Sequence, residues 1–327
     1  MSNLRLTVLG SGTSHGIPVI ACDCKVCNST DPKDIRHRAS VYVELESDVP
    51  LNEGEYPTSF VIDVGPEFRL QCVRAKIKHL DAILITHGHA DHLNGLDDIR
   101  IFSHTQGCVG KSDAEAPNPI EIYANTAAEN DIKRRFDYVY ANTQEGGGKP
   151  RFDVINTDKT SASFEISGKS GTIYCTAVPI MHGNLPVNGY LLQTERGRMD
   201  NAIAYITDCN FIPESSFDLI KGVNHLIIDG LREREHTTHF NFNQALEAAS
   251  KVCAKHTWFT HICHNFSYKE INKILAERKE NYPTLAGKDV TVESAYDGMV
   301  ISNSELRQYV VQTFCRNVDL AAKWNKN

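Results

Sequence analysis

No stretch of this chain stays apolar for the roughly 20 residues that a bilayer crossing requires. The first ten residues, Met1 to Gly10, lack both the apolar core and the small-residue cleavage site of an export signal. A basic excess is also missing. The 34 Lys and Arg stand against 41 Asp and Glu, a formal net charge of -7, so there is no overall cationic footprint for a long phosphate backbone. A local basic patch can hide in that average, so nucleic acid stays open as a partner without being favoured. No repeat of solenoid period and no shift in composition divides the chain, and a single domain over 1–327 is expected. These absences predict a cytoplasmic protein with no membrane association, and they leave a homodimer open. In that compartment ten cysteines do not read as a disulfide framework, and clustered ones read first as metal ligands.

What is present is a series of short apolar runs, several ending in a side chain that can bind metal. Leu4, Leu6 and Val8 alternate with polar residues as a first strand. Ser59 to Asp63 ends in a carboxylate, and Asp81 to Thr86 runs straight into His87. Ile173 to Ile180 leads to His182, Ala202 to Thr207 leads to Asp208, Leu226 to Asp229 runs into a glycine, and Thr257 to Thr260 leads to His261. Strands buried on both faces have this composition, and ligands at their ends collect along one sheet edge. Helical patterns lie between them, at Asp91–Phe102, at Glu129–Tyr140, from an N-cap at Asn241 through Gln244 to Cys253, and at Tyr268–Glu280. The order predicts an α/β chain with two packed sheets and helices outside them. The Pro- and Gly-bearing stretches 46–58, 107–119 and 144–150 read as connectors.

His87-Gly-His-Ala-Asp-His92 is the decisive motif. His87 and His89, two apart on a loop leaving a strand, can reach one ion; Asp91 and His92, opening the next helix, can turn to a second. Two cations that share a water-derived hydroxide can clamp the attacking and leaving oxygens of a displacement. Imidazole with carboxylate suits zinc or manganese and admits iron. His182, Asp208 and His261 add to the set, because each follows a strand; any one alone would read as an ordinary loop or core residue.

His-x-His-x-Asp-His, with an Asp-ended strand before it and His, Asp and His after it, resembles the signature of the metallo-β-lactamase superfamily. The resemblance implies an αββα sandwich of two mixed sheets flanked by helices. It further implies that His87, His89 and His182 hold one metal, that Asp91, His92 and His261 hold the other, and that Asp208 bridges them. Asp63 matches the early Asp that supports the histidine loop from behind the ligands.

Cys22-Asp-Cys-Lys-Val-Cys27 is the other dense cluster. Three thiols within six residues can wrap a structural zinc that needs one more ligand. Thr260-His-Ile-Cys-His264 offers His264, with Cys263 as a rival that its neighbours direct into the core. Leu9-Gly-Ser-Gly-Thr-Ser-His-Gly-Ile-Pro18 followed by this Cys-x-Cys-x-x-Cys, with Tyr296-Asp-Gly-Met299 near the end, resembles the superfamily branch of the phosphoribosyl cyclic phosphodiesterases. In that branch the second histidine of Thr-His-x-x-His joins the three cysteines on zinc, which here is His264. The zinc would tie the N-terminal loop to the floor of the site and hold His261. His239, in Thr238-His-Phe-Asn-Phe-Asn243, matches a position that serves the leaving group. The glycines at 10, 12 and 16 miss the dinucleotide-binding spacing by one position, and no ribose-binding acid follows in a βαβ context.

The resemblance therefore implies a metal-dependent phosphodiesterase acting on a small phosphodiester or cyclic phosphate, with Asp91 and His239 carrying the chemistry. Two readings keep the fold and change the substrate: a transfer-RNA 3′-processing endonuclease, whose RNA-gripping arm has no evident counterpart here, and a cyclic nucleotide phosphodiesterase. Arg134-Arg-Phe-Asp-Tyr138 resembles a helix shared by all of these. Thioester or β-lactam hydrolysis could use the same ligands. A non-catalytic metal-binding module is the remote alternative, since such relatives lose ligands and every expected one is present.

Overall fold

The computed structural model describes residues 3–47, 50–105, 119–141 and 148–302, with backbone alone at 104 and 105. Most of the expected connectors 107–119 and 144–150 lies outside these residues. The described part of 46–58 joins two adjacent strands as expected.

Among the described residues, fourteen strands form two seven-stranded sheets. The first is built from β1 (Leu4–Gly10), β2 (Ser40–Leu45), β3 (Ser59–Ile62), β4 (Ala82–Leu84), β5 (Ile120–Ala124), β6 (Phe152–Asn156) and β14 (Val300–Ser302), in the order β14-β1-β2-β3-β4-β5-β6. The second holds β7 (Ser163–Gly168), β8 (Gly171–His182), β9 (Leu185–Gln193), β10 (Ile203–Ile206), β11 (His225–Asp229), β12 (His256–Thr260) and β13 (Thr291–Ser294), in the order β13-β12-β11-β10-β9-β8-β7. Both sheets are mixed. β3 to β6 run parallel, as do β10 to β13, while β14-β1-β2-β3 and β7-β8-β9-β10 are antiparallel.

Three apolar layers follow from strand alternation. Phe60 and Ile62 point with Leu4, Leu6 and Val8 into the space between the sheets, where they meet Ile173, Cys175, Tyr190, Ile203, Tyr205 and Ile227. Val61, one residue out of phase, points outward to α1 (Phe68–Ala75), α3 (Arg100–Thr105) and α4 (Thr126–Arg135), below α5 (Asp137–Tyr140). On the far side Ile206, Ile228 and Phe259 pack against α6 (Glu214–Ile220), α7 (Phe242–Val252) and α8 (Tyr268–Arg278). This is the expected αββα sandwich. Parallel strands covered on both faces must be apolar throughout, and β11 is buried at all five positions.

Asn241 and Gln244 form a reciprocal capping box on α7, a device worth about 1 kcal/mol. Phe242, Ala245, Leu246, Ala249 and Val252 make its buried stripe. The helix expected over Asp91–Phe102 is instead broken into α2 (Ala90–Leu93), a 3-10 turn at Leu96–Ile99, and α3. The break has a steric cause at Gly95. Its N–H bonds the carbonyl of Val64 at 2.8 Å, and a Cβ there would stand 2.1 Å from the carbonyl oxygen of Gly65. The chain therefore turns under the β3 edge before resuming a helix. The expected helix over Glu129–Tyr140 is likewise two, α4 and α5, joined at Phe136.

Candidate metal centre

Six strands end at one edge of the sandwich. Asp63 follows β3, His87 lies three residues past β4, His182 ends β8, Asp208 lies two past β10, Asp229 ends β11, and His261 follows β12 directly. Asp63, Asp208 and His261 have φ of 65°, 52° and 57°. The left-handed conformation is uncommon for side-chain-bearing residues, and here it turns each side chain off its strand toward the same space.

The seven side chains nominated by sequence converge there. His87, His89 and His182 bring ring nitrogens within 4.8 Å of one another, and so do the ligand atoms of Asp91, His92, Asp208 and His261. Asp208 stands between the groups. Its Oδ2 is 3.8 Å from His87 Nε2 and 3.3 Å from His261 Nε2, and its Oδ1 is 3.3 Å from His92 Nε2.

Most of the imidazoles are aimed from behind. His92 Nδ1 donates to Asp63 Oδ2 at 2.7 Å. Asp63 Oδ1 accepts from the Thr86 N–H at 2.8 Å, while the Thr86 hydroxyl donates to Oδ2 at 2.8 Å and stands 3.0 Å from His87 Nδ1. His182 Nδ1 donates to the Thr238 carbonyl at 2.7 Å. Each contact leaves Nε2 facing the centre with its lone pair. Asp63 thus stands behind the histidine loop, joined to His92 and Thr86.

Polar accounting tests whether cations fit. The Nε2 atoms of His87, His92 and His261 are buried without a hydrogen-bond partner, an arrangement protein interiors avoid unless something fills the gap. The carboxylates of Asp91 and Asp208 are buried beside them. Burial alone would raise the Asp208 carboxyl, yet His261, His92 and His87 hold it well below the usual carboxylate range. Burial should make the His92 ring harder to protonate, but Asp208, Asp91 and Asp63 raise it well above an ordinary histidine. Buried anions of this density need positive charge, either as protons on His92 and His261 or as metal cations. Orphaned nitrogens with carboxylates suit two divalent ions.

Two further side chains, Asp229 and His239, complete the edge. Asp229 Oδ2 accepts from His239 Nδ1 at 2.7 Å and from the Cys209 N–H at 2.8 Å. The His239 ring stacks on His261 with centroids 4.6 Å apart and lies 4.5 Å from the ring of His182. The sequence reading placed Asp229 at a strand end but gave it no role. Its signal was there, an acid closing an apolar run like Asp63. Thr86 was missed as well, and the hydroxyl before His87 carried no comparable cue.

The second cluster also assembles. Sγ of Cys22, Cys24 and Cys27 lie 3.3, 3.5 and 3.4 Å from His264 Nδ1. Metal bonds of about 2.3 Å to sulfur and about 2.0 Å to nitrogen give a tetrahedral edge of about 3.5 Å, so the four atoms fit one zinc. The Cys27 N–H, the largest influence on Cys24, helps bring that thiol down to about 6, while burial lifts Cys27 to about 11. The rival Cys263 turns away and donates to Asn265 Oδ1 at 2.7 Å.

A sandwich with two such His/Asp groups at one edge, and Asp208 between them, fits the metal-dependent hydrolases. The family model of the β-lactamase superfamily domain matches residues 58–262. The solved structure of a diphosphatase from the PhnP family is 33% identical, with a TM-score of 0.71, covering 92% of this chain and 98% of that one. The chain belongs to the metallo-β-lactamase superfamily, in its PhnP-like branch. An octanoyltransferase of Porphyromonas gingivalis is 31% identical over 80% of this chain, which spans only 46% of that protein's length. The short form of human tRNase Z shares the fold at 20% identity and a TM-score of 0.54, covering 92% of this chain and all of that one. Among the described residues no helix is long and apolar enough to cross a membrane.

Proposed function

We propose that the chain is a phosphodiesterase that cleaves a small phosphodiester or cyclic phosphate, with His87, His89 and His182 holding one divalent cation, Asp91, His92 and His261 a second, and Asp208 shared. When bound, the cations supply an activated water and neutralise charge on the phosphoryl oxygens. Cys22, Cys24, Cys27 and His264 hold a structural zinc in this reading.

The observation that carries the proposal is His239. Its ring stacks on His261 at the rim of the centre, its Nδ1–H is tied to buried Asp229, and Nε2 is left to serve the substrate. A phosphodiester leaves an alkoxide that needs a proton, and an imidazolium at that rim can give it. Asp229 holds the ring's orientation and keeps its proton on Nδ1. Asp63 and Thr86 keep the histidine loop in place. The 33% identical structure is that of a diphosphatase, which supports chemistry at phosphorus. The octanoyltransferase carries its name on a protein of which this chain matches less than half, so acyl transfer gains little from it.

The test is turnover by the zinc- or manganese-loaded protein. Bis(p-nitrophenyl) phosphate and a 2′,3′-cyclic nucleotide should be hydrolysed, and precursor transfer RNA should be left intact. Cleavage of the RNA at its 3′ side with no action on the small diesters would replace this reading with the endonuclease. Hydrolysis of thioesters alone would also overturn it.

A further inference from the structure

The Tyr296-Asp-Gly-Met299 motif plays no part in the proposed chemistry, yet its carboxylate ties together segments from opposite ends of the chain. Asp297 Oδ1 accepts from the Ser11 N–H at 2.9 Å and from the Ser11 hydroxyl at 2.8 Å. Its Oδ2 accepts from the His37 N–H at 2.8 Å and from His37 Nδ1 at 2.6 Å. Arg74 Nη1 lies against that ring, 3.1 Å from His37 Nδ1 and 2.9 Å from Nε2. The Asp297 side chain is only 13% exposed. Four donors therefore converge on one carboxylate with little water to replace it.

The loop held this way is the immediate neighbour of His261. The Ser11 carbonyl accepts from the Ile262 N–H at 2.9 Å, the Thr13 N–H donates to the Ile262 carbonyl at 3.3 Å, and the Gly12 N–H donates to the His37 carbonyl at 2.8 Å. Residue 262 is thus gripped on both peptide faces by a loop that Asp297 anchors. His261, one residue earlier, sits at φ 57° with neither ring nitrogen hydrogen-bonded. His87, His92 and His182 are each oriented through Nδ1; His261 has no such partner, and its ring is placed by its backbone together with the stacked ring of His239.

We infer that Asp297 is a positioning residue for His261, acting through Ser11 and the backbone of Ile262 to hold the left-handed turn that aims this ligand into the centre. The inference rests on the two-cation reading of the site. Only an ionised carboxylate accepts all four bonds; an amide turns one of its two atoms into a donor facing donors. Asp297→Asn should therefore disturb His261 while leaving the other orienting contacts in place. Arg36 separately braces the segment that follows, donating to the carbonyls of Cys263 at 2.7 Å and Phe266 at 3.0 Å, so the cysteine centre keeps its own support.

The test is cobalt reconstitution of the metal-stripped full chain, read by visible absorption and by release to a chelator. Cobalt on thiolates gives charge-transfer bands that nitrogen- and oxygen-ligated cobalt lacks, so the two centres are seen separately. In Asp297→Asn the nitrogen/oxygen spectrum should change, and one cobalt of that centre should bind about 10–100-fold more weakly, the usual cost of losing a ligand's outer support. The thiolate bands should stay. Ser11→Ala and His37→Gln should give smaller losses of the same sign, and these two decide the matter if Asp297→Asn does not fold. Folded variants that bind cobalt within twofold of the wild type with an unchanged spectrum would overturn the inference. Parallel loss of both centres would also overturn it, since that is general destabilisation. A wild-type chain that binds cobalt at the cysteines alone would overturn the two-cation reading itself, independently of Asp297.

Discussion

Replacing Asp229 with Asn separates proton delivery from metal binding. The amide keeps the shape of the carboxylate, and its oxygen can still accept from His239 Nδ1 and the Cys209 N–H, now at 2.7 and 2.8 Å. What disappears is the negative charge opposite His239. A hydrogen bond to a charged group contributes about 1.5–3 kcal/mol against about 1 kcal/mol for a neutral one. A net loss of about 1–2 kcal/mol in holding the donor ring in place for proton transfer corresponds to a rate loss of about 5- to 30-fold. Whether that loss is seen depends on the leaving group. p-Nitrophenolate departs without a proton, so bis(p-nitrophenyl) phosphate should turn over within about threefold of wild type. A 2′,3′-cyclic nucleotide expels an alkoxide and should show the full loss in kcat, with metal content unchanged. His239→Ala should follow the same pattern more steeply, toward the 10²- to 10⁴-fold range of general acid catalysis, roughly. Equal losses on the two substrates would refute the proton-donor assignment, and loss of metal from Asp229→Asn would make Asp229 a ligand support instead.

Three other outcomes are expected. Asp208→Asn or His89→Ala should remove at least one catalytic cation, counted by elemental analysis, and abolish turnover on both substrates while circular dichroism stays native. Cys24→Ser should leave the proposed two-cation centre chemically intact but lower the unfolding temperature, because a structural zinc held at the proposed cysteine site would contribute folding energy directly; an unchanged unfolding curve, with and without chelator, would count against the cysteine site. His225 should make stability depend on pH. Its ring stacks on His256 at 4.8 Å, accepts from Trp258 Nε1 at 3.3 Å, and is brought down to about 3 by burial, with help from His256 and Lys255. The folded ring stays neutral where the unfolded one, near 6.5, already binds a proton. Stability from this group is therefore full above about 6.5 and drains as pH falls toward about 3, by at most on the order of 4 kcal/mol. Urea unfolding of His225→Gln should show a shallower loss than wild type between pH 6.5 and 4; parallel curves would sink the assignment.

Much of the site was readable because the catalytic edge of such a sandwich is written into strand endings. An apolar run that stops at Asp63, Asp208 or His261 announces both the strand and the side chain at its tip. Period-two alternation over Leu4, Leu6 and Val8 and unbroken burial in Ser59–Ile62 and His225–Asp229 likewise follow from local sequence. What stayed hidden depends on contacts between distant segments. The helix read over Asp91–Phe102 has good helical residues, but Gly95 is pressed against Gly65, which no local pattern reveals. Asp229 carries the same strand-end signature as Asp63, but its partner His239 lies ten residues on across a loop. Thr238 serves His182 through a backbone carbonyl, a role that leaves no trace in residue type.

The left-handed turns at Asp63, Asp208 and His261 share one physical logic with the crowded charge. Each such turn costs on the order of 1–3 kcal/mol, against a total folding stability of about 5–15 kcal/mol. Buried carboxylates add to that cost unless positive charge meets them. Three apolar layers and the braced 261–266 segment offset it, and bound cations offset more, because a ligand that prefers the folded chain stabilises it by mass action. Stripping the metals should then shift protons onto His92 and His261, since Asp208 and Asp91 raise both rings. Protons on those rings would compete with a cation, so metal uptake should release protons and weaken as pH falls.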